Sequence, residues 1–231
     1  MEIYRRIIDR EKLNAVEMAF TGDDQVIKNI SLKANGNGAP DTKTVVVMPG
    51  GAHRGVVQAG FGLAIEEMGV ADGVDDFVGV SVGSAVGFYI VAREFEKGST
   101  IFLEDNMEGG VFSLRRFPVL MDLEPVERAL RETKALDLKN FYSSRQGLYV
   151  GVTSEKGQSC FVDVKKSEDP YEVVMASMSH PVYNGNKSKA IDGKQYYDGS
   201  LSNPLPISFA IEELEVTDIL VVLTKLFSQT R

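Results

Sequence analysis

Short apolar runs alternate along the chain with longer stretches that have helical spacing of apolar residues. The runs at residues 44–48, 77–80 and 218–224 are mostly β-branched or otherwise apolar, which is typical of strands covered on both faces. Apolar positions at helical spacing follow the first run over residues 56–68, and small apolar residues follow the second. Strands that alternate with helices predict a three-layer α/β/α fold with a largely parallel central sheet.

The remaining elements are predicted from shorter patterns. Two β-hairpins are expected at residues 147–164 and 189–197, where β-like runs flank turn residues. Shorter helices are expected at residues 123–132, 170–177 and 204–213.

The chain divides near residue 40. Apolar positions recur at near-helical spacing over residues 2–20, and an Asn- and Gly-rich segment ending in a proline occupies residues 35–40. We therefore expect a helical N-terminal appendage at residues 1–40, packed on a main domain at residues 41–231.

A Gly-x-Ser-x-Gly sequence lies between the second strand and its helix, with Gly79, Ser81 and Gly83 at its fixed positions. Such a strand–turn–helix is a nucleophile elbow, in which a strained backbone exposes the serine hydroxyl above the sheet. The positive end of the following helix would favour an oxyanion there. Ser81 is the candidate nucleophile.

A second glycine-rich turn, Gly50-Gly51-Ala52-His53-Arg54-Gly55, follows the first strand. Glycines between a strand and a helix expose backbone N–H groups to an anion, either a phosphate or a developing oxyanion. The turn has neither the Gly-x-Gly-x-x-Gly spacing nor a Walker lysine, so a nucleotide site is disfavoured. Arg54 has two open roles, pinning the loop by hydrogen bonds to carbonyls or contacting substrate.

The base that would activate Ser81 is not a histidine in the usual arrangement. The chain has two histidines, and neither His53 nor His180 follows a late acid, as the Ser–acid–His order of α/β-hydrolases requires. His53 belongs to the glycine turn, and His180, which precedes a proline, is interpreted as structural. A Ser-His-Asp triad therefore lacks a base.

Four segments together carry a family resemblance. The Gly50–Gly55 turn, the Ser81 elbow, Ala176-Ser177-Met178-Ser179-His180-Pro181 and Tyr197-Asp198-Gly199-Ser200 follow one another. This order resembles the patatin-like phospholipase family, whose pattern is Gly-Gly-Gly-x-Arg-Gly, Gly-x-Ser-x-Gly, Ala-Ser-x-x-x-Pro and a late Asp-Gly. There are two departures. Ala52 replaces the third glycine, which is tolerable if Ala52 keeps a negative φ, and Ser200 replaces the small residue after Asp-Gly, which matters little if its side chain faces solvent.

The resemblance implies a patatin-like fold and a lipid acyl hydrolase of the phospholipase A type. It also implies a Ser81–Asp198 dyad, an acyl-enzyme, and an oxyanion hole from Gly50, Gly51 and Ala52, with Arg54 and Gly55 supporting the loop. Two other acids compete with Asp198 for the role of base. Asp192 is better explained as a hairpin residue and Asp163 as part of a strand. Neither a metal nor a cofactor is needed, because no His/Asp/Glu cluster has ligand spacing.

The stretch at residues 101–121 is apolar and aromatic. We hypothesise that it lines an acyl pocket or contacts a membrane or micelle surface, and packing as ordinary core under a loop remains the alternative. Its candidate residues are Phe112, Phe117, Leu120 and Met121.

Composition restricts the partners. The net charge of -8 over 231 residues argues against a nucleic-acid partner and against electrostatic adsorption to anionic lipid. A single cysteine, Cys160, cannot form an internal disulfide, and the first ten residues lack the apolar core of a signal peptide. We expect a cytoplasmic protein, with transient contact at a membrane surface left open and the oligomeric state undetermined.

Two other functions fit the same residues. The serine could pass the acyl group to an acceptor other than water, which would make the protein an acyltransferase. The fold could also serve as a non-catalytic lipid-binding or partner-binding domain, although retention of both Ser81 and Asp198 argues against this.

Overall fold

A computed structural model describes residues 24–101, 111, 113 and 117–225. The strands are β1 (Thr44–Met48), β2 (Asp76–Val80), β3 (Gly147–Ser154), β4 (Ser159–Asp163), β5 (Lys189–Ile191), β6 (Lys194–Asp198) and β7 (Asp218–Val221). The helices are α1 (Gln25–Ala34), α2 (Gly55–Glu67), α3 (Val82–Val91), α4 (Phe95–Thr100), α5 (Glu124–Arg128), α6 (Leu138–Ser143), α7 (Pro170–Met178), α8 (Pro181–Asn184) and α9 (Ile207–Glu213).

Four parallel strands form the centre of the sheet, in the order β7-β1-β2-β3. Every residue of β1 and β2 is buried, because helices cover both faces of these strands. The predicted first two strands and both hairpins are present, and the predicted last strand is shorter, since β7 ends at Val221. The expected α/β fold with a largely parallel centre is confirmed.

The antiparallel strands are arranged around β3, which has two edges. β4 pairs along one edge, where Val152 lies opposite Cys160. On the other edge β2 ends with Val80 opposite Gly151, and β6 continues from there with Asp198 opposite Val152. Since β6 runs antiparallel to β3, its carboxyl end meets the carboxyl end of β2. This is the point at which the chain turns into α3.

Each face of the sheet has its own hydrophobic core. The larger core packs Met48, Phe77 and Leu148 of the strands against the helices that include α3 and α7. The smaller core packs Val45, Val47 and Val78 against α9. The helices within the described ranges are too short or too polar to span a bilayer.

The N-terminal helix α1 is joined to the main domain. Ile30 belongs to the larger core, Lys33 forms an ion pair with Asp75, and Asn29 donates hydrogen bonds to Asp218. The helix expected at residues 2–20 lies outside the described residues. The division near residue 40 therefore stays a prediction.

Candidate active site

Ser81 lies at the turn between β2 and α3 with φ 54° and ψ −127°, which is a strained conformation for a residue that has a side chain. Two glycines let the surrounding backbone approach this turn. A Cβ on Gly79 would lie 2.6 Å from Ser84 Cα, and one on Gly83 would lie 2.1 Å from the carbonyl oxygen of Met48. The turn therefore has the geometry of a nucleophile elbow.

The Ser81 hydroxyl donates a hydrogen bond of 2.8 Å to Asp198 Oδ2. The sheet brings the two side chains together, because Val80 and Asp198 pair with the consecutive residues Gly151 and Val152 of β3. The backbone of Asp198 is held on both sides, since its N–H donates to Ser179 O at 3.1 Å and its carbonyl accepts from Thr153 Oγ1 at 2.8 Å. The contact thus depends on strand register rather than on a mobile loop.

The Asp198 side chain is 2% exposed. Burial raises the pKa of this carboxyl, because the charged form loses its hydration. Hydrogen bonds from Ser200 and Ser81 and the nearby His180 oppose the rise. One oxygen accepts from the Ser200 N–H at 2.8 Å and the other from Ser81. Ser200 also lines the neighbouring cavity. The residue that departs from the family pattern at this position therefore borders the cavity.

Ser177 connects the elbow to β3. Its hydroxyl accepts a hydrogen bond of 2.8 Å from the Ser81 N–H and donates one of 2.7 Å to the carbonyl of Gly151. Because Ser177 is fully buried, these bonds do not compete with water. The Ser81 N–H is therefore fixed by a side chain from α7.

The glycine-rich turn runs beside the nucleophile, and a Cβ on Gly50 would lie 3.0 Å from Ser81 Cβ. Ala52 has a φ of 50°, so the condition of a negative φ is not met. The left-handed conformation costs a residue with a Cβ about 1–2 kcal/mol. Ala52 begins the short 3₁₀ turn Ala52–Arg54 that leads into α2.

Arg54 does not pin the turn with its side chain. The guanidinium is exposed, forms no hydrogen bond with the described residues, and borders the cavity beside Ser81. The neighbouring Gly55 packs against Val82, where an added Cβ would come within 2.3 Å of the valine side chain. Substrate contact, the other role open from the sequence, stays a prediction for Arg54.

A cavity of about 310 Å³ adjoins Ser81 and Asp198, at the small end of the range of ligand sites. Its polar rim includes His53, Arg54, His180 and Lys225. The rest of its wall is largely apolar and comprises Val82, Ile101, Val111, Met121, Leu123, Val126 and Met178.

The four acyl-pocket candidates have different outcomes. Met121 lines the cavity. Leu120 is half-buried but is not part of the wall, and Phe117 is 81% exposed at a turn. The exposed Phe117 does not line the cavity, and contact with a lipid surface, the other role expected of this stretch, stays a prediction. Phe112 lies outside the described residues.

His180 also lines the cavity, although the sequence analysis interpreted it as structural. Its ring packs against Tyr183 at 4.6 Å, and its buried Nδ1 has no hydrogen-bond partner among the described residues. His180 contributes to the electrostatics at Asp198. The Ser81 hydroxyl nevertheless bonds to the carboxylate.

The rival acids lie away from Ser81. Asp192 occupies the β5–β6 turn with φ 48° and is exposed. Asp163 ends β4, on the opposite edge of β3 from Asp198, and forms an ion pair with Lys166. Within the described ranges, His, Cys, Asp and Glu side chains form no cluster of three that could hold a metal.

The sequence patterns gave no role to Ser177, Gln58 or Thr224, whose side chains form hydrogen bonds with Ser81, Pro49 and Gly50 respectively. The Ala-Ser-x-x-x-Pro segment marked Ser177 as part of a motif without giving it a role. Gln58 was visible as a polar residue within an apolar helical pattern, and Thr224 as the residue that ends the last apolar run. These three residues form hydrogen bonds with residues that are distant in the sequence, so the sequence pattern could not identify their partners.

Comparison with known proteins supports the fold. VipD from Legionella pneumophila has a solved structure that is similar to this chain, with a TM-score of 0.53 and 16% sequence identity. The match covers 79% of this chain and 50% of VipD, so this chain corresponds to about half of VipD. A comparison with curated proteins gave no match.

A family model described as patatin-like phospholipase matches residues 46–211. The matched range includes the glycine-rich turn, the elbow at Ser81 and the Asp-Gly pair at Asp198. Lipid acyl hydrolysis is the general activity of this family. The match extends over more than half of the chain, and the chain belongs to the patatin-like phospholipase family.

Proposed function

We propose that this protein is a serine hydrolase of lipid acyl esters that uses a Ser81–Asp198 dyad. The observation that carries the proposal is the hydrogen bond of 2.8 Å from the Ser81 hydroxyl to the buried Asp198 carboxylate. A serine becomes a useful nucleophile when an adjacent base accepts its proton. The Asp198 carboxylate is the group that accepts the hydrogen bond from the Ser81 hydroxyl, and the imidazole of His180 does not form this bond.

Burial makes Asp198 a better base than an exposed aspartate. A carboxylate with the ordinary pKa of about 3.9 accepts a proton poorly at neutral pH. The pKa of Asp198 is raised because its charged form is desolvated. This brings the group closer to the pH at which it must accept and return a proton.

The reaction proceeds in two halves. Ser81 Oγ attacks the ester carbonyl carbon, its proton passes to Asp198, and the carbonyl oxygen becomes an oxyanion. Collapse expels the alcohol, which takes the proton from Asp198 and leaves an acyl group on Ser81. Water then attacks the acyl-enzyme, gives its proton to Asp198, and releases the acid as Ser81 regains a proton.

The glycine-rich turn supplies the oxyanion hole. The N–H groups of Gly50 and Gly51 have no acceptor among the described residues, and Gly50 lies beside Ser81. The first turn of α3 adds its positive end on the same side of the nucleophile. Ala52, the next residue, has a left-handed conformation, and its N–H is the last candidate donor in this turn.

The cavity accepts the acyl chain. Its apolar wall gives hydrophobic contact to a hydrocarbon, while Arg54 and Lys225 lie at its polar rim. A volume of about 310 Å³ suits one chain of a lipid ester better than two, since sites for whole drug-sized ligands extend to about 1,000 Å³.

The test combines kinetics with labelling. Hydrolysis of a short-chain p-nitrophenyl ester is measured for Ser81→Ala, Asp198→Asn, His180→Ala and the matched control Asp192→Asn, each checked by thermal melting. We expect kcat/KM to fall at least about 1,000-fold for the first two, whereas His180→Ala retains most activity and Asp192→Asn is near wild type. A fluorophosphonate probe should label Ser81, as read by peptide mass spectrometry.

Three outcomes would contradict the proposal. Wild-type activity in Ser81→Ala would remove the nucleophile, and an inactive His180→Ala beside an active Asp198→Asn would make His180 the base. A folded wild-type protein that neither hydrolyses esters nor takes the probe would be a binding domain. Product analysis with an added acyl acceptor distinguishes hydrolysis from acyl transfer.

A further inference from the structure

The two N–H groups assigned to the oxyanion hole belong to consecutive peptide units of a loop, so their directions need to be fixed. In a trans peptide the C=O and N–H bonds point to opposite sides of the unit. A hydrogen bond that fixes the direction of one residue's C=O bond therefore also fixes the direction of the next residue's N–H bond. Two side chains outside the cavity wall donate hydrogen bonds to the carbonyls of Pro49 and Gly50.

Gln58 holds the first peptide unit. It lies on α2 with no exposed surface, and its side-chain Nε2 donates to the carbonyl of Pro49 at 2.8 Å and to that of Val222 at 3.1 Å. The Pro49 carbonyl thus points towards α2, and the N–H of Gly50 points away from it. The same amide ties the end of β1 to the residue that follows β7.

Thr224 holds the second peptide unit. Its Oγ1 donates to the carbonyl of Gly50 at 3.1 Å, which directs the N–H of Gly51 away from Thr224. The contact is close, because a Cβ on Gly51 would lie 2.5 Å from Thr224 Oγ1. The threonine is 8% exposed, so water competes little for this bond.

We infer that Gln58 and Thr224 are positioning residues that orient the N–H groups of Gly50 and Gly51 as oxyanion donors. The inference rests on the proposed function, because these donors matter only if Ser81 forms a tetrahedral intermediate. Neither side chain lines the cavity, so neither needs to contact substrate. Their loss should weaken binding of the transition state more than binding of the substrate.

The first test uses an isosteric pair at Thr224. Thr224→Val keeps the shape and removes the donor, whereas Thr224→Ser keeps the hydroxyl. Removing an oxyanion donor outright costs about 100-fold to 1,000-fold in kcat, and misorienting one should cost about 10-fold to 100-fold. We expect that loss in Thr224→Val with KM changed less than about 2-fold, and near-complete recovery in Thr224→Ser. Values of kcat are normalised to active sites titrated with a fluorophosphonate.

The second test separates orientation from general packing. A trifluoromethyl ketone accepts Ser81 Oγ at its carbonyl carbon, the serine proton passes to Asp198, and the ketone oxygen becomes an oxyanion. A non-hydrolysable alkyl ether occupies the same cavity without forming one. Thr224→Val should weaken ketone inhibition in proportion to its loss of kcat and leave ether binding unchanged. Gln58→Leu acts on the other peptide unit and serves if Thr224→Val does not fold.

The outcomes separate the two proposals. Wild-type kcat and wild-type ketone affinity in a folded Thr224→Val, with Ser81→Ala inactive, would overturn the positioning role alone. Equal loss of ketone and ether binding would make Thr224 a packing residue and would overturn it too. If Ser81→Ala keeps its activity, the proposed function fails and the positioning role fails with it.

Discussion

Asp198 combines two demands on one carboxyl group. Its burial raises its pKa and makes it a base suited to serine, but the same desolvation makes its charged form unfavourable in the folded state. The hydrogen bonds from Ser81 and Ser200 offset part of that cost. A residue in this position favours activity at the expense of stability.

Replacing Asp198 by Asn should therefore stabilise the fold while removing activity. With a raised pKa the folded state holds the Asp198 proton more tightly than the unfolded state does. The free energy of unfolding therefore falls as the pH rises from about 3.9, the unfolded pKa, through the folded pKa, and it stays lower above that. We expect Asp198→Asn to melt above wild type at pH 7, with the difference shrinking as the pH falls towards 4.

Thermal melting from pH 3 to pH 8 checks this expectation, with Asp192→Asn as the control. The control removes an exposed carboxylate and should follow the wild-type curve. A melting temperature of Asp198→Asn below wild type across the whole range would show that the carboxylate stabilises the fold and would contradict the argument.

The helix α5 lies beside the cavity that we propose for the acyl chain. Val126, on α5, is buried and lines the cavity. A larger side chain at this position would fill part of the cavity that we propose for the acyl chain, without any change to Ser81 or Asp198 themselves. The length of acyl chain that fits therefore depends on this helix.

Val126→Phe should reduce kcat/KM for long-chain p-nitrophenyl esters more than for short-chain esters, by about 10-fold or more in the ratio, since overpacking costs about 1–3 kcal/mol. The matched control is Val57→Phe on α2, where the valine is 51% exposed, and it should leave the ratio unchanged. Equal losses on both esters together with a lowered melting temperature would mean that Val126 is ordinary core.

Local pattern was enough to predict most elements but not the contacts between them. The apolar run at residues 44–48 predicted both ends of β1, and Asp192-Gly193 predicted the turn between β5 and β6, because both features follow from short-range rules. The meeting of β2 and β6 on one edge of β3 depends on pairing between distant segments. The family motifs, rather than the periodicity, indicated that Asp198 belongs with Ser81.

The stretch at residues 101–121 shows what the pattern of apolar residues does not predict. Its apolar and aromatic residues left an acyl wall, contact with a lipid surface and ordinary core as alternatives, and Met121 lines the cavity whereas Phe117 is exposed. Hydrophobicity alone cannot separate a cavity wall from an exposed turn, since folded proteins expose much apolar surface. The φ of Ala52 likewise could not be predicted from the sequence, because a positive φ is unusual for a residue that has a Cβ.

The whole molecule carries a net charge of -8, yet the rim of its cavity carries Arg54 and Lys225, both exposed. Neither cation forms a hydrogen bond or an ion pair with the described residues. Local positive charge within an acidic surface focuses the approach of anionic ligands. We therefore expect the protein to favour esters with an anionic leaving group over neutral ones.

Arg54→Gln should raise KM for an anionic phospholipid by about 2-fold to 5-fold, the range of an exposed ion pair, and leave KM for a neutral ester unchanged. Added salt should remove the difference, because it screens exposed charges. Arg145→Gln makes the same charge change at an exposed site away from the cavity and should have no effect on either KM. Equal effects of the two variants would assign the result to net charge.

The shared edge of β3 has a consequence for how the protein acquires activity. The nucleophile and its base are 117 residues apart in the chain, and they meet only after β6 has paired with β3 beyond the end of β2. Contacts between such distant segments carry a large loop-closure cost and tend to form late in folding. If Ser81 and Asp198 form the dyad that we propose, ester hydrolysis should appear during refolding only when the β5–β6 hairpin docks on β3.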